Sequence, residues 1–297
     1  MKKITCIDLF SGAGGLSEGF LQTGEYEFLA HVEWELPMVK TLRNNLEKKW
    51  DYSEDSALKH VVHFDIQKTD ELINGHWTED TLKNYSKTNH SEFIENGLNG
   101  IIKNREVDMI IGGPPCQAYS IAGRAQDPDS MKNDYRNYLF EAFAKVVDYY
   151  KPKVFIFENV PGILSAMPGD KYVIERIYDA FQEIGYTIRD PKNIKKSVYN
   201  SEEYNVPQAR KRVIIIGTRN DSGLDLEDIY SAIDNEKSAE PKKTVKDAIG
   251  NLQKFYPLDE PYKDGRKNIS HYAEEGILDV LHTPRYSSPR DLSLFKE

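Results

Sequence analysis

Apolar runs alternate with polar stretches along the chain up to Thr218, and their spacing switches between strand-like and helix-like periods. Lys3 to Asp8, which enters the apolar run Ile4 to Leu9, predicts a strand. Gly12-Ala13-Gly14-Gly15 follows as a tight loop, and Leu16, Phe20 and Leu21 then recur at helical spacing. The cycle repeats: Phe28 to Glu33 predicts a second strand, Met38, Leu42 and Leu46 a second helix, and His60 to Asp65 a third strand. Residues 67–105 are weakly patterned, with a helix or two expected, before a fourth strand over Val107 to Gly112. Residues 118–136 are rich in Ser, Gly, Asp, Pro and Asn and predict a long mobile loop, a kind of segment that usually serves function in a compact domain. Leu139, Phe143, Val146 and Val147 predict a helix, and Val154 to Glu158 a fifth, fully buried strand. Val173, Ile177 and Phe181 predict a helix stopped by Gly185, and Val213 to Gly217 the last strong strand.

Strands alternating with helices predict an α/β fold, Rossmann-like, with a mostly parallel twisted sheet and helices on both faces. Past Thr218 the character changes. Residues 220–243 are polar and acidic and read as a linker, Thr244 to Ile249 starts a short helix, and the Tyr- and Pro-rich tail ends with the opening of a helix at Pro289. The expected division is therefore 1–219 and 220–297.

Composition adds bounds. The chain is 39% hydrophobic and 29% charged, enough apolar material for a sizeable core. No apolar run approaches the length of a membrane span, and Met1-Lys2-Lys3 leads straight into a strand without a cleavage site. Two cysteines, Cys6 and Cys116, make neither a disulfide framework nor a zinc set, so a reducing cytoplasm and no metal are expected. Cys6 lies inside an apolar run and reads as a small buried hydrophobe. The net charge of −9 opposes nucleic-acid binding. Locally the balance reverses: Arg189, Lys192, Lys195, Lys196, Arg210, Lys211, Arg212 and Arg219 stand against Asp190, Glu202 and Glu203. This stretch fits a basic binding face or an ordinary solvated surface.

Candidate chemistry gathers at the predicted strand ends. The Gly-rich turn Ser11-Gly12-Ala13-Gly14-Gly15 sits where a Rossmann-like sheet holds a nucleotide. It is an incomplete dinucleotide fingerprint, because Ser17 stands at the third glycine position. Acidic residues end the first three strands in turn: Asp8, Glu33 and Asp65. Glu33 is suited to ribose hydroxyls, Asp65 to an exocyclic amine, and Trp34 to an adenine ring or to the core. Carboxylates along one edge, without a Walker lysine, disfavour a triphosphate and fit a cationic adenosyl cofactor, S-adenosylmethionine. Gly112-Gly113-Pro114-Pro115-Cys116-Gln117 ends the fourth strand abruptly and holds a thiol at its tip. Glu158 ends the fifth strand beside it, and Arg210 and Arg212 precede the last strand. A thiol, a carboxyl group and guanidinium groups together suit an electron-poor heterocycle.

Taken in order, Asp8 to Gly15, Gly112 to Gln117, Glu158-Asn159-Val160 and Gln208 to Arg212 resemble the C5-cytosine DNA methyltransferase family, bacterial type. The resemblance implies methyl transfer from S-adenosylmethionine to C5 of a flipped-out cytosine in double-stranded DNA, with S-adenosylhomocysteine as product. It makes Cys116 the nucleophile at C6, with Glu158 on N3 and the exocyclic amine, Arg210 at O2, and Arg212 in support. The loop from Ala118 to Arg136 becomes a lid, with Asn133 and Arg136 near the DNA backbone. Phe10, Ser11, Gly12, Gly14, Gly15, Glu33, Trp34, Asp65, Ile66, Pro115 and Leu139 map to the cofactor site. Residues 1–219 become the cofactor-binding catalytic domain, and 220–297 a linker and the beginning of a target-recognition region.

The family's complete target-recognition region and final motifs find no match here. That leaves a truncated product, one subunit of a split enzyme with a complementing C-terminal partner, or an inactive remnant as expectations, with weak activity and weak cofactor affinity for this chain alone. Relatives sharing the Pro-Pro-Cys core act on tRNA cytosine, which stays open as an alternative substrate. An NAD-dependent oxidoreductase is the remote alternative.

Overall fold

The computed structural model describes residues 2–115, 139–265 and 267–274. Cys116, the 118–136 loop with Asn133 and Arg136, and the helix expected from Pro289 lie outside the described residues. The chain divides into two units, Met1–Asn200 with Lys211–Glu236, and Ser201–Arg210 with Lys237–Glu297.

In the first unit, β1 (Ile4–Leu9) runs through the glycine turn into α1 (Gly15–Gln22). Then come β2 (Tyr26–Glu33), α2 (Leu36–Trp50), α3 (Glu54–His60) and β3 (Val61–His63). α4 (Thr69–Asn74), α5 (Glu79–Tyr85) and α6 (Ser91–Ile102) occupy the weakly patterned stretch before β4 (Met109–Gly112). α7 (Leu139–Tyr150), β5 (Val154–Asn159), α8 (Val173–Glu183), β6 (Tyr186–Ile188), β7 (Val198–Asn200), β8 (Lys211–Arg219) and α9 (Leu226–Asn235) complete it.

The strand order is β3-β2-β1-β4-β5-β8-β6, with β7 also paired to β8. β1 to β5 are parallel, and β8 runs antiparallel to β5, β6 and β7. The chain starts in the middle of the sheet, builds outwards to β3, and crosses back to β4. The order therefore reverses between β1 and β4, and such a reversal opens a crevice at the strands' carboxyl ends. Leu9 and Gly112 are in register at that point. A Cβ on Gly112 would lie 2.4 Å from the Leu9 carbonyl oxygen, so the two strands close up only with glycine there.

Both sheet faces are packed. On one, Phe143, Phe155, Phe157 and Phe181 are buried together, with Phe155 stacked on Phe181 at 4.0 Å. Each such side chain contributes about 1.5–3 kcal/mol of hydrophobic stabilisation. On the other, Cys6, Phe28, Met109 and Ile111 pack against Leu16 and Phe20. Burial pushes the Cys6 thiol well up, with the carboxylates of Asp108 and Asp8 adding to the effect.

Several expectations are corrected. His60 ends α3 rather than starting a strand: Ser53 caps that helix by accepting from the Ser56 N–H at 3.1 Å. β5 is buried only at alternate positions, with Phe155, Phe157 and Asn159 inside and Ile156 and Glu158 half-buried. The stretch read as a linker contains α9, capped by Asp225. Tyr230 on α9 is fully buried; its hydroxyl donates to the Ile214 carbonyl at 3.1 Å and accepts from the Ile216 N–H at 2.9 Å. Arg189 lies over the Tyr230 ring at 3.4 Å and pairs with Glu227 at 2.6 Å. Among the described residues, no helix is long and apolar enough to cross a membrane.

In the second unit, α10 (Val245–Ile249) carries a capping box between Thr244 and Asp247. A hairpin follows, β9 (Phe255–Asp264) paired antiparallel with β10 (Lys267–Ala273), and Tyr256 stacks on Tyr272 at 5.4 Å. Periodicity in the Tyr- and Pro-rich tail did not announce this hairpin.

Candidate active site

The crevice at the strand reversal holds a cavity of about 240 Å³. β1 ends at it with Phe10, whose φ of 57° places a bulky residue in the left-handed region. β2 and the turn after it supply Val32, Glu33, Trp34 and Glu35. β3 leads into Phe64, Asp65, Ile66 and Gln67, while Gly113, Pro115 and Leu139 close the far side. The expected Phe10, Glu33, Trp34, Asp65, Ile66, Pro115 and Leu139 thus share one cavity. Ser11, Gly12, Gly14 and Gly15 do not line it; they build the turn beside it. Gly14 caps α1 at φ 87°, and a Cβ there would lie 2.4 Å from Leu42 Cδ1, so this glycine serves the packing of α2.

Glu33 joins two turns. The Gly12 N–H donates to its Oε2 at 2.7 Å and the Glu35 N–H to its Oε1 at 2.7 Å. A carboxylate has about four acceptor positions, so each oxygen keeps capacity for a ligand hydroxyl. Asp65 accepts from the Gln67 N–H and Nε2 through Oδ1 alone, at 3.0 and 3.3 Å. Trp34 is 51% exposed and so presents a ring face instead of filling the core.

Asp8 departs from the expected row of carboxylates. It is 1% exposed and turns inward, with Oδ2 3.6 Å from His31 Nδ1. A bulge in β2 shifts the pairing from Cys6↔Phe28 to Ile7↔Ala30 and brings His31 opposite Asp8. Desolvation raises the Asp8 pKa, and His31 pulls it the other way.

The chemical half lies one strand over. Glu158 and Arg212 pair at 2.7 Å, Oε1 to Nε, from adjacent antiparallel strands. A Cβ on Gly113 would come within 2.9 Å of Glu158 Oε2, so the Gly-Pro-Pro turn rests directly against this carboxylate. Asn159, 1% exposed, clamps the same turn: its Nδ2 donates to the Pro114 carbonyl at 3.2 Å, and its Oδ1 accepts from the Val160 N–H at 2.9 Å. Cys116, next after Pro115, lies outside the described residues. Arg210 belongs to the second unit, where its backbone N–H donates to Ser201 Oγ at 3.2 Å. No group of three or more His, Cys, Asp or Glu side chains is placed to hold a metal among the described residues.

The pattern of the C-5 cytosine-specific DNA methylase family matches residues 4–278. The chain belongs to that family. A type II methyltransferase of Bacillus paralicheniformis, M.Bpa9945I, is 39% identical over 71% of this chain and 53% of its own length. M1.HphI, a type II methyltransferase of Haemophilus parahaemolyticus, is 30% identical over 85% of the chain and 54% of its own length. The chain thus spans about half the length of these curated relatives. Among solved structures, a protein described as a prophage-encoded DNA modification methyltransferase (E. coli) matches with a TM-score of 0.55. It is 24% identical over 89% of this chain and 62% of that one, and it bears on the fold alone. That fold is the Rossmann-like fold of S-adenosylmethionine-dependent methyltransferases.

Sequence reasoning gave Asn159 no role of its own and overlooked Gly113, Phe64 and Gln67 as site residues. Asn159 stood inside a quoted motif, and the double glycine before Pro114 was the available signal for close approach to another strand.

Proposed function

We propose that this chain carries the methyl-transfer centre of a DNA (cytosine-5-)-methyltransferase, acting on C5 of a flipped-out cytosine in duplex DNA. The observation that carries the reading is the Gly113-Pro114-Pro115 turn held against the Glu158–Arg212 pair, at the edge of a cavity suited to adenosine. Glu33 and Asp65 offer acceptors for ribose hydroxyls and an exocyclic amine. Trp34 offers a ring face, and Phe10, Ile66, Pro115 and Leu139 supply apolar walls. Ser11, Gly12, Gly14 and Gly15 shape the turn beside them. S-adenosylmethionine, when bound, supplies an electrophilic methyl group and leaves as S-adenosylhomocysteine.

C5 of cytosine is too weak a nucleophile to take a methyl group unaided. Addition of the Cys116 thiolate to C6 turns the ring into an enamine that can. Glu158 holds N3 and the exocyclic amine, favouring a proton at N3 as the thiolate adds. Arg210 stabilises charge at O2, and Arg212 fixes Glu158 through their ion pair. After C5 is methylated, a base removes its proton, Cys116 departs and the aromatic ring returns. The target atom is out of reach inside a stacked duplex, which is why the base must be flipped. A cytoplasmic location fits a DNA substrate, and a complementing subunit is a component to add to the assay.

The test is transfer of a labelled methyl group to duplex DNA and to tRNA, with and without a complementing subunit, against a Cys116→Ala control, alongside calorimetry with S-adenosylhomocysteine. DNA labelling that depends on Cys116, together with binding that depends on Asp65, is expected. Labelling of tRNA alone would replace the substrate. NADH binding without S-adenosylhomocysteine binding would overturn the reading in favour of an oxidoreductase.

A further inference from the structure

Behind the cavity wall, His63 ends β3, in register with Glu33. Its ring is outside the cavity lining, and its Nε2 lies 2.9 Å from the Trp34 carbonyl oxygen while its Nδ1 lies 2.8 Å from Thr88 Oγ1. Its backbone is held as firmly. The His63 N–H donates to Asn89 Oδ1 at 2.8 Å, and Asn89 Nδ2 donates to the His63 and Tyr85 carbonyls at 2.9 and 3.0 Å. The Asn89 amide thereby covers the outer edge of β3 as a further strand would. The Tyr85 ring meets the His63 ring edge-on at 5.1 Å. Trp34 is thus held from behind through its carbonyl, while the residue lines the cavity and stays 51% exposed.

We propose that His63 is a positioning residue for the cofactor site, holding the Trp34 turn so that the indole meets an adenine ring already in place. This rests on the reading that the cavity takes an adenosyl cofactor. The physical reason is preorganisation: an aromatic side chain that must be ordered on binding costs affinity, and one already held does not. Neutral His63 donates Nε2–H to the Trp34 carbonyl; the Thr88 hydroxyl, within reach of both His63 Nδ1 and the Tyr85 carbonyl, then turns to Nδ1 and leaves that carbonyl to the Asn89 amide. Burial, foremost, lowers its pKa and favours that neutral form.

Calorimetry with S-adenosylhomocysteine on the full chain tests this, with thermal melting to confirm folding. His63→Leu is expected to bind about tenfold more weakly, the scale of one lost buried hydrogen bond. His63→Gln, which keeps a donor for the Trp34 carbonyl, should stay within about threefold of the parent. In a Trp34→Ala background the His63→Leu loss should shrink below about twofold, because coupled residues fail to add. Should His63→Leu not fold, His63→Asn carries the same expectation, being too short to reach Trp34. A folded variant with parental affinity, or an undiminished loss in the Trp34→Ala background, overturns the proposal. If the parent binds and Asp65→Ala abolishes binding while His63→Leu does not weaken it, this inference alone fails. If the parent does not bind at all, the cofactor reading fails and takes this inference with it.

Discussion

Replacing Asn159 with alanine removes two bonds at once from a side chain that is 1% exposed: the donor to the Pro114 carbonyl and the acceptor for the Val160 N–H. A buried backbone group left without a partner costs about 1–3 kcal/mol. Val160 is only half-buried, so water recovers part of its loss, and the sum settles near 3 kcal/mol. In a chain of this size that lowers the melting temperature by roughly 6–12 °C. The catalytic effect follows from position. Pro114 is two residues before Cys116, and a displacement of about 1 Å in a reacting group costs about a hundredfold in rate. Two assays report on this independently. Single-turnover methyl transfer reads the rate. Alkylation at neutral pH reads the order of the turn, because Cys6 is fully buried with its thiol pushed up, leaving Cys116 as the other cysteine to react. A faster alkylation with slower methyl transfer is expected. An Asn159→Ala chain that melts, alkylates and methylates like the parent would refute the idea that this amide positions the thiol.

Glu158→Gln keeps the shape but loses the charge paired with Arg212; methyl transfer should fall by about 10²–10⁴ while S-adenosylhomocysteine affinity, read by calorimetry, stays within about threefold. Glu33→Ala frees the Gly12 and Glu35 N–H groups as well as removing a ligand acceptor, so cofactor affinity should drop by more than about tenfold in the same measurement, with methyl transfer recovering at saturating cofactor. The Asp8 carboxyl has its pKa raised by burial, so its stability contribution is fully present below the ordinary carboxylate value of about 4 and is lost as pH rises through the higher folded value. Melting curves across that window should show Asp8→Asn losing this slope and gaining on the parent as pH rises; parallel curves would contradict it.

The parts of this fold that were legible are those whose reason for forming is local. α8 keeps Val173, Ile177 and Phe181 on one buried face, and β1 is a short run in which Ile4, Cys6, Ile7 and Leu9 are apolar, so the local pattern announced both. α9 was read as linker because its stretch is acidic and weakly apolar. What holds it is the Tyr230 hydroxyl on the β8 backbone and the Arg189–Glu227 pair, polar contacts between elements that hydrophobic periodicity does not register. The β9–β10 hairpin was missed for a related reason: its pairing is made across strands, and its prolines and tyrosines carry little alternation.

By itself the sequence determined which chemical groups stand at the strand ends: a thiol after two prolines, a glutamate, two arginines, and carboxylates with an indole beside a glycine turn. Motif spacing is covalent, so it survives without knowledge of the fold. Only the tertiary structure decided which of these groups meet. One bulge in β2 turns Asp8 inward to His31 while Glu33 ties two turns at the cavity. The antiparallel register of β5 with β8 sets Glu158 beside Arg212, and a missing Cβ at Gly113 lets the turn settle against that carboxylate. These outcomes depend on strand register and close packing between segments far apart in the chain, where a shift of one residue would face each side chain the other way.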